Sequence, residues 1–436
     1  MTFPLTLLFI FLIFWRPQEW LFPWMYGWPL LDAITYGALL SLLLEAGQGV
    51  VRFSKNPAIP LAAGLWFASL MSHVAHGYYA GFMYTAPETF KLCLFLVLLL
   101  VVIDRISRLR SVINILLLAA IMMACDALVQ YKTGVGFTGS QSLVWFNTVK
   151  GQWITQTQFL GIFADPNDLG QYLVACIPFA FVFTRRMNMG SLILAVMIVL
   201  LLTEALFTTH SRGALIGAVI VVATMIFLKL PTRWMPYVAV IALFGGLAAC
   251  AFWGGAFLDE SARDRVVFWG NANSYFKSHL LFGGGYGMFA EISGTDRAAH
   301  NAFVCCYTEL GMFGYWFWFS TMTLAFIGCY RTRLVFRKPR NDEQAYLKRV
   351  SGYGMAAMAG FAASSYFLSR AYVFPLFILF GLLNAVPVIA QRYLPEDHRP
   401  LINWRQDILV TGTISSMASV IYIYVSILLL NRAYGG

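Results

Sequence analysis

Charge is what this chain has least of. Only 11% of its residues are Asp, Glu, Lys or Arg, against about 25% in average soluble proteins, and that shortage excludes a water-soluble fold. Acid is scarcer than base, 20 residues against 30, which leaves a formal charge of +10. The surplus does not point to nucleic acid. Its basic residues sit in short loops between apolar runs, without the aromatic–basic interleaving that single-strand binding needs. The seven cysteines (93, 125, 176, 250, 305, 306 and 329) lie mostly inside apolar segments and lack metal-ligand spacing. Neither a disulfide framework nor a zinc site is expected, and Cys305–Cys306 reads as a pair of small residues in a membrane helix. The first fifteen residues lack a basic n-region and a small-residue cleavage site, so a retained helix is expected there. No Pro/Gly/Ser-rich linker or charge block divides the chain, which implies one polytopic domain over residues 1–436.

What fills the chain instead is apolar: 59% of residues are hydrophobic. A membrane span needs about 20 mostly apolar residues. Candidate stretches are 2–15, 29–48, 59–76, 88–103, 111–130, 166–184, 190–208, 212–229, 234–257, 301–329, 351–368, 371–390 and 408–430. Lipid offers no partner for a free backbone amide or carbonyl, so each stretch is expected to be helical. The fold class expected is therefore an all-α polytopic membrane protein with about 12–13 transmembrane helices.

The loops orient it. Nineteen Lys and Arg fall on one side, among them Arg52, Lys55, Arg105, Arg108, Arg110, Arg185, Arg186, Lys229, Arg233 and seven in 331–349. The other side has ten, and the positive-inside rule puts the richer side, with the N-terminus, in the cytoplasm. Six of the ten outside residues are Arg212, Arg263, Arg265, Lys277, Arg297 and Arg370. Arginine on the side that disfavours it suggests retention for binding. The two larger loops, 131–165 and 258–300, also fall outside, so the external face is expected to be the working face.

Each candidate residue there has a plain and a sharper reading. Arg212, at a helix mouth in TTHSRGALIG, either snorkels to the interface or captures an anion, since a planar guanidinium suits phosphate oxygens bidentately. Nearby His210 reads as an interfacial histidine. Arg263 and Arg265 belong to an amphipathic segment where Asp259, Glu260 or Asp264 could pair with them. The run Gly283-Gly284-Gly285-Tyr286-Gly287 lacks the strand–loop–helix setting and the lysine of a nucleotide site, so it reads as a flexible or tight backbone passage. His300 directly precedes a span, where imidazole can accept a proton near neutrality or serve structure alone. Asn301 is a helix cap candidate, and Glu309 should be buried or line a cavity. Asp165 and Asp168 in DPND mark a helix start with Asp165 as cap, or a site for acceptor sugar or a divalent metal. Against metal, there is no Asp-x-Asp and outside carboxylates are scattered. Arg370, between two short spans, reaches the same cavity or snorkels. Trp15, Trp20, Trp24 and Trp28 form an interfacial belt or line an access route for a lipid tail.

Taken together, TTHSRGALIG, LLFGGGYGMF and AHNAFVCCYTELGMFGYW resemble the core signatures of the O-antigen ligase superfamily, which includes polysaccharide polymerases. The residues carrying the likeness are Ser211-Arg212-Gly213, Gly285-Tyr286-Gly287, and His300-Asn301 with Glu309, Gly311 and Gly314. FADPNDLG (163–170) and WRPQEW (15–20) are similar to a branch of O-glycosylation ligases associated with exosortase systems. The resemblance implies a GT-C-like integral-membrane glycosyltransferase of the inner membrane, with its site on the periplasmic side, 131–165 as a periplasmic loop and 258–300 as a periplasmic catalytic loop. The implied donor is a glycan on undecaprenyl pyrophosphate, and the acceptor is lipid A–core oligosaccharide. It further implies that Arg212 and Arg265 hold the pyrophosphate and that His300 is the base. Asp165, Asp168, Tyr286, Asn301 and Arg370 are further candidates for contact with substrate. No cofactor and no metal are implied. A polymerase or a protein O-oligosaccharyltransferase would share the donor. A flippase or secondary transporter, the rival class, should show midplane charges and inverted repeats; most ionisable residues lie at span ends, Lys91, Asp126 and Glu204 being the exceptions, and no repeat is evident.

Overall fold

The computed structural model describes residues 1–49, 56–147, 151–184, 188–231, 233–257, 260–295 and 297–434. Arg52, Lys55, Lys150, Arg185, Arg186 and Asp259, which entered the reading of charge, lie outside them.

Apolar composition is expressed as helix almost throughout. In chain order the helices are α1 (Thr2–Trp15), α2 (Pro17–Trp20), α3 (Leu30–Gly47), α4 (Ala58–Val74), α5 (Tyr79–Val102) and α6 (Ile106–Thr133). Then follow α7 (Pro166–Cys176), α8 (Met189–Thr208), α9 (Arg212–Phe227), α10 (Met235–Phe257), α11 (Glu260–Ser278) and α12 (Phe289–Ser293). The last are α13 (Ala302–Val335), α14 (Asp342–Ser365), α15 (Phe374–Gln391) and α16 (Thr413–Tyr434). Among the described residues seven helical stretches are long and apolar enough to cross a membrane, and four shorter apolar helices accompany them. Two further expected stretches belong to neither group. Over 166–184, α7 is continued by a 3₁₀ segment, Ile177–Phe183; over 351–368, α14 begins on the polar Asp342-Glu343-Gln344 turn. The architecture is all-α and polytopic.

The segments expected on the outside hold more regular structure than loops. Residues 131–165 carry an antiparallel hairpin, β1 (Leu143–Asn147) with β2 (Gln152–Gln156), in which Trp145 faces Ile154 and Phe146 faces Trp153. Its foot is tied to the end of α8, where the Thr157 amide donates to the Thr208 carbonyl at 3.1 Å. Asp126, the midspan acid, is buried near the end of α6. It accepts from the Thr138 amide at 2.9 Å and from the Ser140 hydroxyl at 2.6 Å, so it anchors the turn after α6. Lys91, the midspan base, pairs with Asp32 at 2.9 Å. Both have structural partners.

The decisive local event is a break inside α13. Gly311 has φ 66° and ψ −174°, which interrupts the helical ladder in mid-run. The freed groups are taken up by the glycine-rich turn before α12. The Gly284 and Gly285 amides donate to the carbonyls of Thr308 and Glu309, each at 2.9 Å. In the other direction the Met312 amide reaches Leu280 O at 2.8 Å, and that of Phe313 reaches Leu281 O at 3.1 Å. In a low-dielectric interior each unpaired group would cost several kcal/mol, so break and turn require one another. Gly283, also left-handed at φ 66°, abuts the Glu309 backbone, where a Cβ would lie 2.5 Å from its carbonyl carbon. Of the two readings of the glycine run, the tight passage holds.

Gly311→Ala would set a Cβ against the Leu281 carbonyl in a left-handed conformation, a strain of about 1–3 kcal/mol. Its thermal midpoint in detergent should fall clearly below that of Gly245→Ala, whose added methyl meets open space. Equal midpoints would contradict the splice.

Candidate active site

Three helix starts meet at the end of the bundle assigned to the outside. Asp165 caps α7, accepting from the Asn167 amide at 2.7 Å. Ser211 caps α9, accepting from the Ala214 amide at 3.2 Å, and its hydroxyl lies 2.7 Å from Asn167 Oδ1. Asn301 is buried and caps α13, accepting from the amides of Phe303 and Val304 at 3.0 and 3.1 Å. Each is an Asx or Ser cap of ordinary kind, but the Ser211–Asn167 contact locks two of the starts together. Helix N-termini present partial positive charge, and here they gather.

The connection 366–373 between α14 and α15 closes the arrangement. Arg370 grips Asp168 in a two-pronged ion pair, Nε to Oδ1 at 2.5 Å and Nη2 to Oδ2. Ser369 Oγ accepts the His300 amide at 2.6 Å. Gln171, one turn beyond Asp168, donates to Ser365 Oγ at 2.7 Å. Asp165, Asp168, Gln171, Arg370 and Tyr372 line a cavity of about 490 Å³. Arg370 therefore reaches the cavity and does not merely snorkel. Tyr286 stacks toward the same connection, its ring 4.8 Å from that of Tyr372, while its amide donates to Ser72 Oγ of α4 at 3.1 Å. Glu309 is buried beneath this turn.

His300 sits beside the cavity, partly buried, with a left-handed backbone at φ 47°. Burial is the main influence pulling its imidazole below the ordinary 6.5. The positive charge of Arg265 acts next in the same direction, Asp165 opposes it, and Arg370 and Arg297 reinforce the lowering. A depressed value keeps the ring neutral at physiological pH, so its free nitrogen can accept a proton.

Arg265 is held there by α11. One turn on, Trp269 Nε1 donates to the carbonyl of Ala299 at 2.5 Å, and Asn273 Oδ1 accepts from the Tyr307 hydroxyl of α13 at 2.6 Å. Of the three acids expected as partners of the α11 arginines, Asp259 lies outside the described residues. Asp264 pairs with Arg297 at 2.9 Å, which brings residue 297 onto α11. Arg212 occupies the first turn of α9 right after Ser211, with its side chain exposed. Its neighbour Gly213 packs on Phe367, so Arg212 shares the end of the bundle formed by 366–370. Of the anticipated residues, Asp165, Asp168 and Arg370 line one cavity, His300 is tied beside it through Ser369, and the charge of Arg265 acts on the imidazole. Asn301 supports them from below, Tyr286 joins through Tyr372, and Arg212 stands at the adjoining helix start.

Arg16, which the sequence offered only within the WRPQEW likeness, belongs to this region too. It ends α1 in a left-handed turn, pairs with Glu19, and lays its guanidinium on Gly161, which lines the same cavity. The available signal was Arg-Pro closing an apolar run with Glu three positions on. His210 is exposed, and its backbone too is left-handed at φ 50°. Among the described residues no group of three or more His, Cys, Asp or Glu side chains is placed to hold a metal ion.

No curated protein matches the chain. Residues 196–319 match the family model for O-antigen ligase, a stretch containing Arg212, Arg265, the glycine turn, His300 and the break of α13 at Gly311. Over this segment the chain is similar to the O-antigen ligase family.

Proposed function

We propose that the protein transfers a glycan from undecaprenyl pyrophosphate to a hydroxyl of lipid A–core oligosaccharide, at the periplasmic face of a bacterial inner membrane. The family segment supports ligase- or polymerase-type function in general; donor, acceptor and mechanism are the finer part of this proposal. Its main support is the neutral imidazole of His300 within electrostatic reach of Arg265 and beside a carboxylate-and-guanidinium cavity.

The chemistry follows from those groups. His300 takes the proton of the acceptor hydroxyl as its oxygen attacks the anomeric carbon. The bond from that carbon to the pyrophosphate oxygen breaks, its electron pair stays on the leaving oxygen, and the configuration inverts. Arg265 and Arg212 face the charge that grows on the pyrophosphate, each such donor contributing about 2.7–4 kcal/mol to the transition state. Pyrophosphate is already a good leaving group, so little acid catalysis is required. Asp168 with Arg370 offers acceptors and donors side by side for sugar hydroxyls.

A polymerase or a protein O-oligosaccharyltransferase would use the same donor groups and differ in acceptor. Purified protein reconstituted with lipid-linked glycan, and offered lipid A–core, a second lipid-linked glycan or a hydroxyl-bearing protein, should form product with lipid A–core. Product with either of the others alone would move the assignment to that class. Product formed without any ion gradient separates transfer from transport.

His300→Ala should reduce transfer by about 10²–10⁴-fold while the protein still accumulates in the membrane. Near-normal product from this variant would remove the base assignment. Arg265→Ala and Arg212→Ala should each lower turnover by about 10²–10³-fold, and lysine should restore only part of it, since it lacks the planar fork. The rate should fall on acidification with a midpoint below 6.5, because the neutral imidazole is the active form and its value is lowered. Removing the Arg265 charge relieves the repulsion of imidazolium, so the residual activity of Arg265→Ala should show that midpoint at higher pH. An unmoved midpoint would disconnect the two residues.

A further inference from the structure

At the opposite end of the bundle, basic side chains surround two adjoining cavities. One, about 650 Å³, has Arg110, Arg337, Lys338, Lys348 and Arg349 in its lining and a single carboxylate, Asp342. The other, about 180 Å³, shares Lys348 and Arg349 and adds Lys229 and Arg333. Together they count seven basic residues against one acidic.

The positive-inside bias accounts for basic residues on this side of the membrane. It does not account for what lies beneath them. Leu228, in the lining of the smaller cavity, also lines a nearly wholly apolar groove of about 420 Å³ between α9, α13 and α14. Its walls include Phe227, Phe326, Ile327, Tyr330, Met355 and Ala359. On each helix the apolar lining continues directly from a cation: Phe227 and Leu228 into Lys229, Tyr330 into Arg333, Met355 back to Arg349. At a rise of 1.5 Å per residue, the step from Arg349 to Ala359 is about 15 Å, comparable to half the hydrocarbon thickness of a bilayer.

The cations are also differently partnered from their neighbour. Arg331, two positions before Arg333, has its own carboxylate, gripping Asp407 at 2.6 and 2.7 Å. Among the described residues neither Arg333 nor Arg349 makes an ion pair with a carboxylate; Arg349 donates through Nε to the Val182 carbonyl at 3.1 Å, and Arg333 lies along Gly352. Two arginines and a lysine converge at the top of an apolar furrow, and among the described residues no carboxylate lines the smaller cavity between them.

We propose that this end of the bundle binds one anionic glycerophospholipid of the cytoplasmic leaflet. Its phosphate lies between Lys229, Arg333 and Arg349, and an acyl chain fills the groove between α9, α13 and α14. Basic pockets between membrane helices on this side hold anionic headgroups by the same charge complementarity. The site is independent of the transfer reaction, because none of its residues approaches His300 or the outer cavity.

Native mass spectrometry of the full-length protein in detergent tests it, with phosphatidylglycerol, phosphatidylcholine and inorganic phosphate as probes. One phosphatidylglycerol should remain bound, roughly tenfold tighter than phosphatidylcholine. R333Q/R349Q should erase that preference. Ala359→Trp leaves every charge in place but plugs the groove, and it too should lower retention. Equal retention of the two lipids would overturn the proposal, as would full retention by R333Q/R349Q. Displacement by millimolar phosphate combined with unaltered binding by Ala359→Trp would show a phosphate site without a lipid. Should R333Q/R349Q fail to fold, Lys229→Gln and Ala359→Trp decide in its place: normal preference in both refutes the lipid.

Discussion

Hydrocarbon does not solvate a peptide group, and the outer half of this protein is arranged around that constraint. Breaking α13 at Gly311 strands backbone donors and acceptors in the interior. Four hydrogen bonds from 280–285 cover them. The turn that supplies those bonds is the one that leads from α11 through α12 to His300, so the repair of one helix fixes the path of the segment that carries the imidazole. Ser72 and His73 at the end of α4 hold the same turn from its other side. Arg265 depends on this indirectly: α11 is fastened to α13 by Asn273 and to Ala299 by Trp269, and the guanidinium lies where those fastenings leave it.

Electrostatics in the outer region is asymmetric in a useful way. Asp168 and Arg370 neutralise each other, whereas His300 experiences an excess of positive charge from Arg265, Arg370 and Arg297 over Asp165. An environment of that sign disfavours imidazolium and favours any anion brought nearby. One arrangement of charge thus serves both a proton acceptor and a phosphate-bearing ligand.

Much of this was legible in the chain itself, and what was not has a common cause. Span positions follow from runs of apolar residues, a property of neighbours in sequence, so every expected stretch falls on helix. The caps Asp165, Ser211 and Asn301 are likewise local, each read by an amide two or three residues on. The pairing of Asp168 with Arg370 joins positions 202 residues apart, and nothing near either one announces the other. The glycine run looked like an isolated turn because its partner, the break at Gly311, is on another element. The strands β1 and β2 are five residues each, too short to stand out in a reading of apolar runs long enough to span a membrane. Arg16 was passed over because it meets Gly161 only after α1 and the segment before α7 are brought side by side.

The left-handed backbone at His300 has a consequence of its own. Most side chains pay to occupy that region, while asparagine, aspartate and glycine tolerate it comparatively well. Exchanging the residue therefore disturbs two things at once, a ring and a bend, and the bend carries the amide that donates to Ser369. Asparagine is an uncharged replacement that keeps the bend and discards the ring, so it separates chemistry from geometry at this position.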